Sequence, residues 1–215
     1  MILGISGHPR GVGTALLLLQ EALQEARRAG AEAVLISVHE HAVTPCEAWE
    51  WCSRGEGCVI PDEMWKIYPL IADCSGLIIA TPVFFGGPTS VLKGWIDRCN
   101  PFWKDRTVLK RNLRPTRPGA LIATAGSGHG RAFSGTVEVT KSLFYSLGMK
   151  LEAQLLIGGL NGLDEPLPTD DHRAQAQQLG RKMAELERAA DQPFQPDHPW
   201  WNHPPNQDRR TCEPV

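Results

Sequence analysis

The sequence lacks any long apolar run and carries little net charge. No stretch approaches the roughly 20 apolar residues of a membrane span, which argues against a membrane protein. The formal net charge of -2 gives no electrostatic basis for binding nucleic acid or an anionic membrane. No signal-peptide pattern precedes the first apolar strand, so a cytoplasmic location is expected.

Disulfides are not expected, although the chain contains six cysteines. Without a secretory segment, cysteines more often serve as free thiols or metal ligands. With 215 residues and 42% hydrophobic content, the chain can bury a sizeable core as a single unit. We predict one domain over residues 1–191, with an insertion loop at 39–61, and a C-terminal extension over 192–215.

A glycine-rich stretch near the start predicts an anion site. Residues 4–14 read Gly-Ile-Ser-Gly-His-Pro-Arg-Gly-Val-Gly-Thr, between a short apolar strand and a helical pattern. This order places backbone N–H groups and a positive helix end around an anion. Ser6 and Thr14 can add hydroxyl donors, and Arg10 a forked charge. The alternative is a tight turn that needs glycine for its backbone alone.

Two common phosphate motifs are absent from this stretch. A P-loop needs a lysine, and the first lysine of the chain is Lys66. The dinucleotide fingerprint fails as well, because Leu16 stands where its third glycine is required. A serine- and arginine-bearing loop suits a terminal phosphomonoester better, as in folds that hold FMN at the switch point of the sheet.

Five strand patterns alternate with helical patterns along the chain, which predicts a parallel sheet between two helix layers. We expect a three-layer, doubly wound α/β fold with strand order 2-1-3-4-5 and ligands outside the carboxyl ends of the strands. Pro69 predicts a kink or break in the second helix. Residues 100–118 are polar and contain three prolines, and are predicted to form a connection that can include one short turn.

Three motifs together resemble the NADPH-dependent FMN reductase and iron-sulfur flavoprotein branch of the flavodoxin-like superfamily. They are Gly4-Ile-Ser-Gly-His-Pro-Arg10, Ala80-Thr-Pro-Val-Phe-Phe-Gly-Gly87 and Leu92-Lys-Gly-Trp-Ile-Asp-Arg98. His8 stands where the family usually has serine. The resemblance covers about residues 1–160 and implies bound FMN, with NAD(P)H as the reductant and a homodimeric or homotetrameric assembly.

The resemblance also implies which residues contact the flavin. The predicted cofactor-binding residues are Ser6, His8, Arg10, Gly13, Thr14, Pro82, Val83, Phe84, Phe85, Gly86, Thr124, Gly126, Ser127 and Gly128. Phe84 and Phe85 can pack at the ring edge, or they can be core residues, as at least one is expected to be. His129 can stabilise charge on the reduced ring, or it can be an exposed loop imidazole. Lys93, Asp97 and Arg98 are expected to make helix and subunit contacts.

The cysteine loop is defined here as residues 46–58, with Cys46, Cys52 and Cys58. It resembles the four-cysteine motif that binds a [4Fe–4S] cluster in iron-sulfur flavoproteins, but Trp49 occupies the second cysteine position. A cubane cluster normally needs four thiolates, so His39, His41 or a remote cysteine would have to complete it. A zinc site is chemically allowed. We expect a loop that has lost its cluster, with no metal bound.

The C-terminal extension is rich in proline and contains Trp200-Trp201. It can be a disordered tail, but two adjacent tryptophans are costly to leave in water. We therefore favour an arm packed on the body or on a neighbouring subunit.

The first functional hypothesis is an FMN-dependent NAD(P)H oxidoreductase that reduces a quinone, a flavin or another small acceptor. No side-chain acid or base is required, so no catalytic residue is predicted. The alternative is an iron-sulfur flavoprotein or a flavodoxin-like electron carrier. The near-neutral charge and only two tyrosines argue against a carrier with an acidic docking face and an aromatic sandwich. A third hypothesis is a flavin enzyme for one metabolite, with a pocket built from tryptophans and the tail.

Overall fold

The computed structural model describes residues 1–111, 115–160, 167–190, 196 and 199–205. Its strands are β1 Ile2–Ser6, β2 Ala33–Ser37, β3 Gly76–Phe84, β4 Gly87–Pro88, β5 Arg117–Thr124 and β6 Met149–Ile157. Its α-helices are α1 Thr14–Arg28, α2 Met64–Asp73, α3 Ser90–Asp97, α4 Asn100–Lys104, α5 Ser134–Ser146 and α6 Asp170–Ala190.

The central sheet has the order β2-β1-β3-β5-β6, and every pair along this path is parallel. The two-residue β4 lies off the path and pairs antiparallel with the end of β3. Counted without β4, the order is the predicted 2-1-3-4-5, so the predicted doubly wound topology is confirmed.

Side chains alternate between the two faces of the sheet, as the period of a strand requires. In β3, Leu77 and Ile79 enter the core on one face, whereas Ile78 and Ala80 enter the core on the other. We call these cores the aromatic side, under α2, α3 and α5, and the aliphatic side, under α1 and α6. The near-continuous apolar strands follow from burial on both faces.

Three local expectations are corrected. The second helix does not break at Pro69, which lies inside the continuous α2. The connection at 100–118 contains helix α4 and a π-helical turn over Asp105–Leu109. Phe84 and Phe85 are both exposed, so neither is a core residue.

At the start of the second helix, Asp62 Oδ1 accepts the Met64 N–H at 3.0 Å. The described part of the tail packs on the body of its own chain, with Trp200 and Trp201 buried in the aromatic side. Cys74 and Cys99 are buried, as expected of small apolar residues. Among the described helices, none combines the length and apolar character needed to cross a bilayer.

Candidate functional site

The carboxyl ends of three neighbouring strands bring the predicted flavin residues to one edge of the sheet. Ser6 at the end of β1 pairs with Ala80 of β3, and Pro82 of β3 pairs with Thr124 of β5. Because the three strands are parallel and adjacent, the loops that follow them emerge side by side. All fourteen predicted cofactor-binding residues lie at this edge, and their role in binding remains a prediction.

The first loop leads into α1 without a side-chain cap. Gly13 precedes the helix with φ 138°, in the region that favours glycine, and as the N-cap residue it offers no side chain to accept from the helix N–H groups. The first turn of α1 also contains no acidic residue. A helix start of this kind suits an anion, which can accept from its N–H groups and complement the helix dipole.

His8 stiffens the first loop from within. Its ring is buried, and its Nδ1 accepts a hydrogen bond from the Arg10 N–H at 3.1 Å. A ring nitrogen that accepts carries no proton, so this bond assigns the proton of the neutral ring to Nε2. The imidazole that replaces the family's serine hydroxyl therefore fixes the backbone beside Arg10.

His39 covers the first loop from the end of β2. A side chain at Gly11 would overlap the His39 ring, and Gly11 also has φ 65°. The His39 Nδ1 lies 2.7 Å from the Ser37 hydroxyl. This position places His39 against the glycine-rich loop and not in the cysteine loop, so the structure gives no support to His39 as an outside cluster ligand.

The second loop is a tight hairpin. Phe84 of β3 pairs with Gly87 of β4, which leaves Phe85 and Gly86 as a two-residue turn with φ 52° and 78°. Positive φ at both central residues is the pattern of a type I′ turn. Phe84 is 50% exposed and Phe85 is 111% exposed, so the hairpin presents both rings to solvent.

The hairpin is fixed to its neighbours on both sides. The Thr89 hydroxyl donates to the Gly7 carbonyl of the first loop at 2.6 Å. A side chain at Gly135, in the first turn of α5, would strike the Gly86 carbonyl, so the hairpin tip lies directly on that helix. These two contacts join the hairpin to the first loop and to the start of α5, the helix that follows the third loop.

The third loop is supported by the strand beside it. Ala125 donates to the Ile157 carbonyl at 2.9 Å and accepts from the Leu160 N–H at 3.1 Å. The Ser127 hydroxyl accepts the N–H of His129 at 3.3 Å. Ser127, Gly128 and His129 are exposed.

The three loops carry basic residues and no acidic ones. Residues 7–13, 82–89 and 124–133 contain Arg10 and Arg131 but no aspartate or glutamate. Negative charge on a ligand therefore meets no like charge from these loops, and their positive charge attracts it. The edge thus fits a phosphorylated cofactor by its uncapped helix, its backbone and its charge.

Arg98 closes the two ends of the segment that contains the cysteine loop. Its guanidinium is buried and donates to the Thr44 carbonyl at 2.6 Å and to the Asp62 carboxylate at 2.5 and 3.0 Å. Lys93 and Asp97 instead form an exposed pair within α3, at 2.7 Å. The prediction of helix contacts is confirmed for that pair, whereas Arg98 is a buried anchor of the insertion.

The three cysteines of the loop line one cavity of about 30 Å³, together with Trp49. Such a volume holds about one water molecule. In the described part of the chain, no group of three or more His, Cys, Asp or Glu side chains is arranged to hold a metal ion. The residues as placed therefore do not fit a cubane cluster, which normally requires four thiolates.

The thiol of Cys52 is held in its protonated form. Burial raises the pKa of Cys52 to about 11, and the nearby Cys58 adds to the rise. The Asn100 side-chain amide also donates to the Cys52 sulfur at 3.4 Å. Without a bound metal, Cys52 is therefore a neutral thiol at neutral pH.

The second half of the cysteine loop is held by the tail and the π-helical turn. Trp200 packs against Gly57 and donates from Nε1 to Asp105 at 2.8 Å. Asp105 also accepts from Arg111 at 2.8 Å, and Arg111 donates to the Gly55 carbonyl. Trp200 stacks edge-on against two further rings, Trp65 and Tyr68.

The sequence did not predict the contacts of two residues at this edge, Thr89 and His39. Thr89 has a recognisable signal, because it stands at the N-cap of α3, where threonine is favoured. His39 has none, since its contact with Gly11 depends on how far β2 extends beside β1.

Solved structures share this architecture. The chain superposes on a flavone reductase with a TM-score of 0.67 at 21% identity, over 90% of this chain and 65% of that one. A Megasphaera elsdenii flavodoxin matches with a TM-score of 0.52 at 13% identity, over 86% of this chain and 99% of the flavodoxin. At such identities the likeness concerns the fold, which is that of the flavodoxin-like flavoproteins.

The sequence comparison defines the family. Residues 1–158 match the model of the NADPH-dependent FMN reductase family, and the chain belongs to that family of FMN-using oxidoreductases. An iron-sulfur flavoprotein of Archaeoglobus fulgidus is 36% identical over 99 residues, which are 46% of this chain and 50% of that relative. The chain thus aligns with about half the length of this curated relative.

Proposed function

We propose that this protein is an FMN-dependent NAD(P)H oxidoreductase that reduces a small acceptor such as a quinone or a flavin. The observation that carries the proposal is the convergence of three acid-free loops on an uncapped helix start at the switch point of the sheet. When bound, FMN would accept a hydride from the nicotinamide and pass reducing equivalents to the acceptor. A cytoplasmic homodimer or homotetramer remains our expectation.

The residues of the chain would bind and orient this cofactor. The first loop, with Ser6, Arg10 and Thr14, would hold the phosphate. The rigid hairpin at 82–88 would border the ring, and the third loop, from Thr124 to Gly128, would approach its pyrimidine end. No side-chain acid or base is assigned a proton transfer.

Titration of the apoprotein with FMN tests the phosphate site. Replacing Arg10 by alanine removes a charged hydrogen-bond donor and is expected to weaken FMN binding by about 1.5–3 kcal/mol. Quenching of FMN fluorescence measures the affinity. Arg28→Ala, at the far end of α1, is the control and is expected to bind as the wild type. Unchanged affinity of R10A would remove Arg10 from the site.

Reduction by the nicotinamide tests the reaction. Mixing the FMN-loaded protein anaerobically with NADH or NADPH is expected to bleach the flavin absorbance, and the faster cofactor identifies the preferred reductant. Absence of bleaching with both would contradict the reductase and favour a carrier that receives electrons from another protein.

We further propose that the cysteine loop works without a cluster. The presence of three thiols in place of four and the small size of the cavity that they line support this proposal. The competing function, an iron-sulfur electron carrier, is favoured by the names of the curated relatives. Iron and sulfide analysis of anaerobically purified protein decides between them, because about four irons per chain would establish a cubane cluster.

A further inference from the structure

The turn at the tip of the hairpin violates a local rule of backbone chemistry. A type I′ turn favours Asn, Asp or Gly at its first central position, where φ is positive. Here that position is Phe85, at φ 52°. A bulky residue in the left-handed region is an outlier that the structure must compensate, and such outliers cluster at functional sites.

Packing does not compensate the strain at Phe85. The side chain is 111% exposed, so the ring gains nothing from burial. A β-carbon added at the adjacent Gly86 would meet no atom within 4 Å, so the side of the turn away from α5 is open. The ring is therefore both strained and solvated, and folding alone gives no reason for a phenylalanine at this position.

The backbone that carries the ring is nevertheless held in a defined place. The hairpin is clamped to the first loop through Thr89 and to α5 through Gly135. A rigid support lowers the entropy lost when a ligand binds to the ring. A strained backbone, an exposed ring and a fixed hairpin together describe a preorganised aromatic surface for a ligand.

The apolar surface here is small. Besides Phe85, the exposed large apolar residues on the three loops are Phe84 and Val12. A stable protein interface buries about 800 Å² on each partner, whereas one or two rings suit a flat molecule that stacks with offset or edge-on geometry.

We propose that Phe85 is a specificity-determining residue that stacks with planar aromatic electron acceptors, such as a naphthoquinone, at the cofactor edge. This inference rests on the proposed function, because it assigns an acceptor class to the same site. It adds a selectivity that neither the binding of FMN nor its reduction by NAD(P)H requires.

Steady-state kinetics of the FMN-loaded protein with two acceptors test the proposal. Phe85→Leu keeps an apolar side chain but removes the ring, and is expected to raise the KM for menadione about tenfold more than the KM for ferricyanide, which does not stack. Phe85→Tyr should restore the wild-type KM. Tyr145→Leu replaces an exposed ring on α5 and is the matched control.

Three results would overturn the proposal. An F85L variant with wild-type KM for menadione removes the stacking role. An equal loss with both acceptors means that Phe85 acts on the cofactor. A changed oligomeric state in sedimentation, with unchanged acceptor preference, means that a second copy of the chain covers the ring.

Two measurements do not depend on turnover. Isothermal titration of the oxidised holoprotein with menadione should show about tenfold weaker binding to F85L. This binding can be measured even if neither nicotinamide reduces the protein. In that case the proposed function fails, and the role of Phe85 is still tested. Phe85→Asn should relieve the backbone and raise the melting temperature by about 2–4 °C. A melting temperature that does not rise would show that the ring supports folding, contrary to the proposal.

Discussion

The two sides of the sheet are built from different side chains. Every buried residue that the structure assigns to the aliphatic side is an alanine, leucine, isoleucine or methionine. The aromatic side buries Tyr68, Trp95, Phe133, Phe144, Trp200 and Trp201. Small and branched side chains let regular elements approach closely, whereas large rings fill the irregular space left by loops. The difference separates a supporting layer from the layer that carries the insertion and the tail.

Close approach on the aliphatic side is visible where α6 crosses α1. A side chain at Gly180 of α6 would overlap the Ala22 backbone of α1. Two ion pairs flank this contact. Arg173 pairs with Glu21 at 2.7 Å, and Arg181 pairs with Glu25 at 2.5 Å.

The largest expected loss of stability comes from a substitution on the aromatic side. Trp200→Ala removes a fully buried ring and the donor to Asp105, and is expected to lower the free energy of unfolding by about 3–5 kcal/mol. Urea unfolding measures the loss. Trp103→Ala, at a partly exposed tryptophan of α4, is the control with a smaller expected loss. Similar losses for both would show that the tail contributes little to the core.

The next largest loss of stability is expected from a substitution on the aliphatic side. Gly180→Ala would gain about 1 kcal/mol of helix propensity in an isolated helix. Here the added methyl meets backbone, so we expect a net loss of about 1–3 kcal/mol by overpacking. Gln178→Ala, on the exposed face of the same helix, should change the stability by less than about 0.5 kcal/mol. A stabilised G180A would mean that α1 and α6 are further apart than described.

The two sides of the sheet are expected to lose stability at opposite ends of the pH range. Hydrogen bonds from Gln177 and Arg173 lower the pKa of Glu21, and Arg181 lowers that of Glu25. The contribution of these carboxylates is present above about pH 4.5 and is lost as the pH falls through their lowered pKa values.

On the aromatic side, burial raises the pKa of Tyr68 well above 10.0. The contribution of the neutral phenol is fully present below pH 10.0 and declines as the pH rises, because the unfolded chain then ionises first. Urea midpoints across the pH range should fall at both ends. Glu25→Gln should flatten the acid limb and Tyr68→Phe the alkaline limb, and an unchanged limb in either variant would contradict its assignment.

The smallest effect lies outside both cores. Lys93→Ala removes an exposed i, i+4 pair with Asp97 and is expected to cost about 0.3–0.5 kcal/mol in urea unfolding. Salt at high concentration should abolish the difference, and a loss that persists there would point to a contact other than the ion pair.

Sequence patterns were sufficient for the topology, whereas the role of the site residues stays a prediction. Strand periodicity and the glycine-rich loop are local, so they predict the parallel sheet and the edge where the loops meet. Contacts between distant residues left no such signal. The placement of His39 over Gly11 and of Trp200 on Gly57 depends on tertiary packing.

Expectations based on local sequence were wrong where tertiary surroundings override local preferences. Pro69 lacks an N–H donor, yet α2 continues through it because its apolar face stays packed on the aromatic side. Phe85 looked apolar enough for a core, but its position in a two-residue turn directs it to solvent.

The distance along the chain between Gly57 and Trp200 has a consequence for biosynthesis. Gly57 leaves the ribosome long before the indole that packs on it has been made. Until Trp200 emerges, Asp105 lacks the hydrogen bond from its indole, and Gly57 lacks the ring that packs on it. The Gly57 end of the cysteine loop can therefore reach its final packing only after Trp200 has been made, whereas all strands of the sheet precede Trp200 in the chain.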